Sequence, residues 1–378
     1  MSVYLDNAAT TRVRPEAEEA ALLAMREEYG NPSSTYALGR RAAETLENAR
    51  ADVASVVAAD PEEIFFTSGG TESDNWAILG GAEAAKRRGN HIITSLAEHP
   101  AVLRSAEKLT LQGYDVTFLR PDKSGVITVD ALAGALRDDT ALVSLMLANN
   151  ETGAINPVAG YSAEIKRRGL KTLLHTDAVQ AYGKLPVTVK TLGVDLMSVS
   201  AHKIYGCKGA GALYIRRGLK LPPLLVGGGQ ESNLRGGTQA TPALAAFGAA
   251  ARLAGVELER NYKHAAILKN LAATVITREI PDAVIISDGG SPYILSLSLP
   301  GHRSETLMSA LETDEIYVSR SSACKKGAVS HVLQAMSLPP AVIDGALRVS
   351  FSRDTTEEEV LFLAEKLKTA AETLFRRR

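Results

Sequence analysis

The sequence predicts an α/β fold: a doubly wound, mostly parallel seven-stranded sheet with a second, smaller α+β domain. Three observations carry that prediction. From about Pro15 to Arg217, short apolar runs alternate with segments of helical character, as when strands are joined by crossover helices. The runs are near-continuously apolar, as in ALVSLMLA (141–148), which suits strands buried on both faces. After a loop rich in glycine and proline, Leu221 to Pro242, the pattern changes to one long helix followed by short strands and helices.

In chain order the seven strand candidates are EIFFTS, HIITSL, DVTFL, ALVSLMLA, TLLHTDA, DLMSVSA and GALYIR. Helical segments such as Thr71 to Arg88 and Ala101 to Gln112 lie between them. A helix is expected from about Ala243 to Thr277, then AVIISD, YILSLSL, a helix near Glu305 to Glu312, ALRVSFS and a final helix. Thr356 and Glu359 have the spacing of a capping box at that last helix. The expected division is a large domain over 15–250, and a small one built from 1–14 and 251–378.

Composition narrows the classes. The 378 residues are 45% apolar and 22% charged, as in a globular protein, and the net charge of −1 gives no field for nucleic acid or an anionic membrane. The start, MSVYLDNAATT, lacks the parts of a signal peptide, so a cytoplasmic location is expected. Cys207 and Cys324 lie far apart, which is neither a disulfide framework nor a zinc site, and no metal is expected.

The chemistry sits at strand ends, where open parallel sheets bind ligands. FTSGGTES places Gly70 and Thr71 at a helix start, where backbone N–H groups and a hydroxyl suit a phosphate. TLLHTDA ends in Asp177, which either caps the next turn or pairs with a ligand, with Gln180 following. LANNETG offers Asn150, AEHPAV offers His99, and SVSAHK offers Ser200, His202 and Lys203. A lysine at the mouth of a buried strand either snorkels to water or supplies an amine to chemistry. A phosphate cradle, an aspartate, a flat stacking group and a strand-end lysine are together the parts of a pyridoxal phosphate site. Lowering the lysine from roughly 10.4 to about 7–8 requires a differential cost of about 4 kcal/mol, which a partly buried cationic site supplies.

With these residues the chain resembles the cysteine desulfurases, pyridoxal-phosphate enzymes of fold type I in the class-V aminotransferase group. The likeness runs through YLDNAATT, GNPSS, FTSGGTESDNWAI, EHPAV, LANNETGAINPV, HTDAVQAYGKLPV, SAHKIYGCKGAGALYIR, GGGQESNLRGGTQ, SSAC and LRVSFS, essentially the whole length. It implies that Lys203 forms a Schiff base with pyridoxal 5′-phosphate, that Asp177 pairs with the pyridinium nitrogen and that His99 stacks on the ring. Gln180 and Asn150 would contact the phenolic side, while Thr71, Ser200 and His202 hold the phosphate. Thr238 would reach the phosphate of a neighbouring subunit, which implies a homodimer. Arg348 would bind the carboxylate of L-cysteine with help from Asn31 or Asn150; the alternative for Arg348 is a surface ion pair on a strand edge.

Cys324 would be the nucleophile that takes the sulfur as a persulfide for an acceptor protein, in iron–sulfur assembly or transfer-RNA thiolation. The sequence departs from the family pattern in three places. Lys325 and Lys326 follow the cysteine, the segment between Cys324 and Ser330-His331 is short, and Cys207 stands where proline is usual. Two ammonium groups favour a thiolate; Cys207 reads as a small packed residue. Selenocysteine lyase, cysteine-sulfinate desulfinase, another aminotransferase and a non-catalytic sulfur-transfer scaffold are the alternative readings.

Overall fold

The computed structural model describes residues 2–287, 289–320 and 329–375. Its centre is a seven-stranded sheet made of β1 (Ile64–Thr67), β2 (His91–Ser95), β3 (Asp115–Leu119), β4 (Thr140–Ser144), β5 (Leu173–Asp177), β6 (Leu196–Ser200) and β7 (Gly211–Ile215). The spatial order is β1-β7-β6-β5-β4-β2-β3. Every neighbouring pair is parallel except those made by β7, which runs against both β1 and β6. All five residues of β2, β4, β5, β6 and β7 are buried, which is why these stretches read as continuous apolar runs rather than alternating ones. β3, one of the two edge strands, starts exposed at Asp115.

Helices α1 (Pro15–Arg26) and α2 (Ala37–Ser55) precede β1, α3 (Gly70–Asn75) follows it, and α4 (Pro100–Leu111) follows β2. The sequence predicts one helix over Thr71 to Arg88. The observed helix starts at Gly70 and widens into a π-helical turn at Trp76–Gly80 before Gly81–Ala85. Packing explains the widening. Trp76 is fully buried, donates from Nε1 to the Pro222 carbonyl at 3.0 Å, and would lie 3.1 Å from a Cβ placed on Gly80.

The second sheet is antiparallel, with β8 (Val284–Ile285), β9 (Ile294–Ser298), β10 (Ser319–Arg320) and β11 (Ala346–Ser350) in the order β10-β11-β9-β8. α5 (Thr241–Glu279) is a single helix of 39 residues, about 58 Å long. Leu244, Phe247, Ala250 and Ala254 bury its first half in the large core, and Leu268, Ala272 and Ile276 bury its second half in the core beneath the small sheet. α6 (Glu357–Thr373) begins with the expected capping box: Glu359 N–H donates to Thr356 Oγ1 at 3.3 Å, and Thr356 N–H donates to Glu359 Oε2 at 2.9 Å.

The N-terminal segment joins the two sheets. Val3–Tyr4 pairs in parallel with Ile316–Tyr317, and the next residues run beside β11, with Ser350 N–H donating to the Leu5 carbonyl at 2.7 Å. The glycine-rich loop is anchored rather than loose. Glu231 is buried, accepts from Arg50 Nη1 at 2.7 Å and from the Phe66 amide at 2.9 Å, and starts three consecutive left-handed residues through Asn233. Glu231→Ala leaves the Arg50 guanidinium buried without its main partner. A loss of about 3 kcal/mol is expected, read as a lower urea midpoint at unchanged slope.

Candidate active site

The carboxyl ends of β5 and β6 open into a cavity of ≈ 350 Å³, within the size range of cofactor sites. Asp177 is the last residue of β5 and Ser200 the last of β6, and Lys203 closes the single 3₁₀ turn that follows β6. α3 starts at the cavity wall with Gly70 and Thr71. Glycine at position 70 avoids a clash, because a Cβ there would stand 2.7 Å from Val179 Cγ2 and force that side chain to shift. His99 is the N-cap of α4, and its Nδ1 accepts from the Ala101 amide at 3.1 Å. That bond fixes the tautomer, leaving Nε2 as the ring's other polar atom.

Ten of the residues singled out from the sequence line this one cavity: Gly70, Thr71, His99, Asn150, Asp177, Gln180, Ser200, His202, Lys203 and Arg348. Arg348 is not a surface ion pair. It is 2% exposed on β11, the strand between β10 and β9, with Nη2 on Asp6 Oδ1 at 2.6 Å and Nη1 on the Asn150 carbonyl at 2.8 Å. Asn31 and Thr238 lie outside the cavity. Asn31 is exposed before α2, with Oδ1 accepting from the Ser33 amide, and Thr238 is exposed in the loop before α5. Cys324, Lys325 and Lys326 fall outside the described residues.

The charges are set by burial. Lys203 Nζ donates to the carbonyls of Ala8 and Ala9, each at 2.6 Å. Desolvation, then the nearby Arg348, lowers its pKa from 10.5 to about 8, while Asp177 and Asp6 pull the other way. Asp177 accepts from the Val179 amide at 2.9 Å, so the turn-capping role and the cavity position coincide. Burial raises its pKa, opposed first by His99. His99 is lowered by burial, and His202 is lowered to about 4 by burial and by Lys203.

Two buried carboxyls, Asp74 and Glu98, escaped the sequence reading, whereas Glu151 stands at the strand end of LANNETG that the sequence points to. Asp74 lines the cavity, and burial with Asp177 nearby pushes its pKa well up. Glu151 also lines it, takes a 2.5 Å hydrogen bond from Ser330 Oγ, and is raised to about 7 by burial. Glu98 is raised to about 8 by burial although Ser95 Oγ donates to it at 2.7 Å. His331 completes the wall, with Nε2 on the Glu98 carbonyl at 2.9 Å. Glu98 is adjacent in sequence to a residue singled out above, and TESD holds Asp74 near Thr71, so adjacency to a strand-end motif was the available signal.

The cavity fits pyridoxal phosphate on its own polar atoms. Ser200 Oγ and Gln180 Oε1 are buried without a hydrogen-bond partner, and both residues face the cavity. Such orphans are costly unless a ligand satisfies them. Gln180 Nε2 already donates to the Ala8 carbonyl at 2.9 Å, so Oε1 is the atom left to accept. A hydroxyl beside a helix start suits the phosphate, a buried carboxylate suits a pyridinium, and an amine near pKa 8 suits an aldehyde.

The class-V aminotransferase family model matches residues 3–363. A cysteine desulfurase IscS from Methanosarcina thermophila is 43% identical over 366 residues, 95% of this chain and 89% of the relative. One from Dictyoglomus turgidum is 40% identical over 98% of this chain and 95% of its own. Among solved structures, a NifS-like protein superimposes with a TM-score of 0.93 at 40% identity, covering 99% of this chain and all of that one. DndA from Streptomyces lividans does so with a TM-score of 0.77 at 38% identity, over 91% of this chain and 98% of its own.

Glu98 keeps a proton in the folded chain that the unfolded chain releases, since burial raises its pKa from 4.5 to about 8. The stability this contributes is complete below pH 4.5 and disappears as pH climbs through 8. Glu98→Gln, neutral throughout, is expected to remove on the order of 3 kcal/mol of that decline, measured by urea unfolding of the cofactor-free protein across the window.

Proposed function

The chain belongs to the class-V aminotransferase family and is a pyridoxal-phosphate-dependent cysteine desulfurase; we propose that Lys203, His99, Arg348 and Cys324 carry out the conversion of L-cysteine to L-alanine and a protein persulfide. The observation that carries the assignment of residues is the joining of Lys203, Asp177 and the unpartnered Ser200 Oγ and Gln180 Oε1 in one cavity.

When bound, the cofactor supplies an electron sink that acidifies the substrate's Cα–H. Thr71, Ser200, His202 and the first amides of α3 would hold its phosphate, and the Asp177 carboxylate would pair with its ring nitrogen. Arg348 grips the substrate carboxylate with the donors left over from Asp6 and Asn150. Its Nε is buried with no partner, which is the state of a donor awaiting an anion. Lys203, with a pKa near 8, would take the substrate's Cα proton at Nζ. His99 faces the same cavity with Nε2 available to move a second proton.

The thiolate of Cys324 attacks the substrate Sγ. The new S–S bond forms as Sγ–Cβ breaks, the electron pair goes to Cβ, and a proton completes the methyl group of alanine. The persulfide then passes to a sulfur-acceptor protein. Two copies of the chain pair so that Thr238 of each reaches the other's phosphate site; its exposure on an anchored loop supports that role. The proposed division is a large domain over 15–250 and a small one from 1–14 with 251–378; two separate apolar cores bridged by α5 support it, the large core also taking in Ala251 and Ala254. No described helix is long and apolar enough to cross a membrane, and the cytoplasm is the proposed location.

Cys324→Ala is expected to abolish alanine release from L-cysteine while the cofactor's visible absorbance is retained; sulfide and alanine released at the unsubstituted rate would refute the nucleophile. Arg348→Lys keeps the charge but loses the fork. It is expected to raise KM for L-cysteine by roughly 10- to 100-fold, more than it lowers kcat, in steady-state assays of alanine.

A further inference from the structure

The N-terminal segment Asp6 to Thr11 crosses the cavity as a strap and touches four of its functional side chains. Asp6 Oδ1 accepts from Arg348 Nη2 at 2.6 Å. The Ala8 carbonyl accepts from Gln180 Nε2 at 2.9 Å and, with the Ala9 carbonyl, from Lys203 Nζ. Thr10 Oγ1 meets His202 Nδ1 at 3.1 Å. The strap is itself fastened to β11: Asn7 Nδ2 donates to the Ser350 carbonyl at 2.9 Å, and the Ala8 amide donates to Ser350 Oγ at 2.8 Å. Its one carboxylate therefore cannot drift from the guanidinium on the same strand.

We infer that Asp6 is a positioning residue that acts through Arg348: it stands as the resident counter-ion which the substrate's carboxylate must share, and so sets the affinity of the site for that anion. The inference rests on the assignment of Arg348 to the substrate carboxylate. The ion pair is shielded, with the Arg348 side chain 2% and Asp6 22% exposed, so solvent screens it weakly. An arriving carboxylate meets a cation already half neutralised and a like charge beside it. Arg348 Nε is buried without a hydrogen-bond partner, a donor still to be satisfied.

Asp6 also reaches Lys203 electrostatically. The groups facing Lys203 are Arg348, Asp177, Asp6, His99, His202 and Lys184; those facing Arg348 are Asp6, Tyr4, Glu151, Lys184 and Lys203. Asp6 favours the charged amine and Arg348 disfavours it, so the strap offsets part of the cationic field on Lys203. Removing the charge at position 6 leaves Asp177 alone to oppose that field and makes the amine more acidic.

The test compares Asp6→Asn, which keeps an acceptor for Nη2 without the charge, with Asp6→Glu, which keeps the charge. One readout is KM and kcat for alanine formation from L-cysteine. The other uses the cofactor-free full-length chain: the pH dependence with which added pyridoxal phosphate is trapped by borohydride on Lys203, located by peptide mass. Asp6→Asn is expected to lower KM on the order of tenfold with a smaller change in kcat, and to shift the trapping profile acid-ward by roughly half a pH unit or more. Asp6→Glu is expected to hold both near the unsubstituted values. A KM for Asp6→Asn that stays or rises, an unmoved profile, or the same shift in both variants overturns the inference. Failure of the unsubstituted chain to trap the adduct on Lys203 would instead refute the parent assignment.

Discussion

An amine withheld from water is the constraint on which this molecule is organised. Lys203 lies just past the end of a strand buried on both faces, and its partly buried amine donates to two backbone carbonyls. Burial makes the charged form expensive, and a guanidinium nearby adds to that cost. The surrounding carboxyls are graded by the same principle: Asp177 is held by an amide and faced by cations, whereas Glu98 and Asp74 are pushed toward neutrality. A cavity with several carboxyls thus avoids a large uncompensated negative charge.

The parallel sheet makes this arrangement possible. Its strands deliver Asp177 and Ser200 to one edge, β7 returns against them, and α3 can approach closely because position 70 lacks a side chain. The small sheet delivers Arg348 from the other side, and the N-terminal strap holds the two contributions in register. The chemistry therefore sits between two separately packed cores.

Much of this was legible in the chain. The seven apolar runs correspond to β1 through β7 because buried parallel strands need no polar face. The strand-end polar residues were visible for the complementary reason, since each interrupts an apolar run. What stayed hidden depends on contacts distant in sequence. The Asp6–Arg348 pair spans 342 residues, and nothing near either residue announces the other. Glu98 and Asp74 look like ordinary solvated carboxylates until burial is known. The π-helical turn at Trp76 arises from a tryptophan needing room, which periodicity does not register. Asn31 and Thr238 lie away from the cavity, as exposed residues of loops whose motifs were recognisable without their placement.

α5 has a mechanical consequence. Because one uninterrupted rod is embedded in both cores, a rotation of the small sheet about the large one must bend or drag the rod. The two halves therefore behave as a lever with a stiff arm instead of beads on a tether. Severing the rod midway would strip each core of a packed wall, so the two halves stand or fall together.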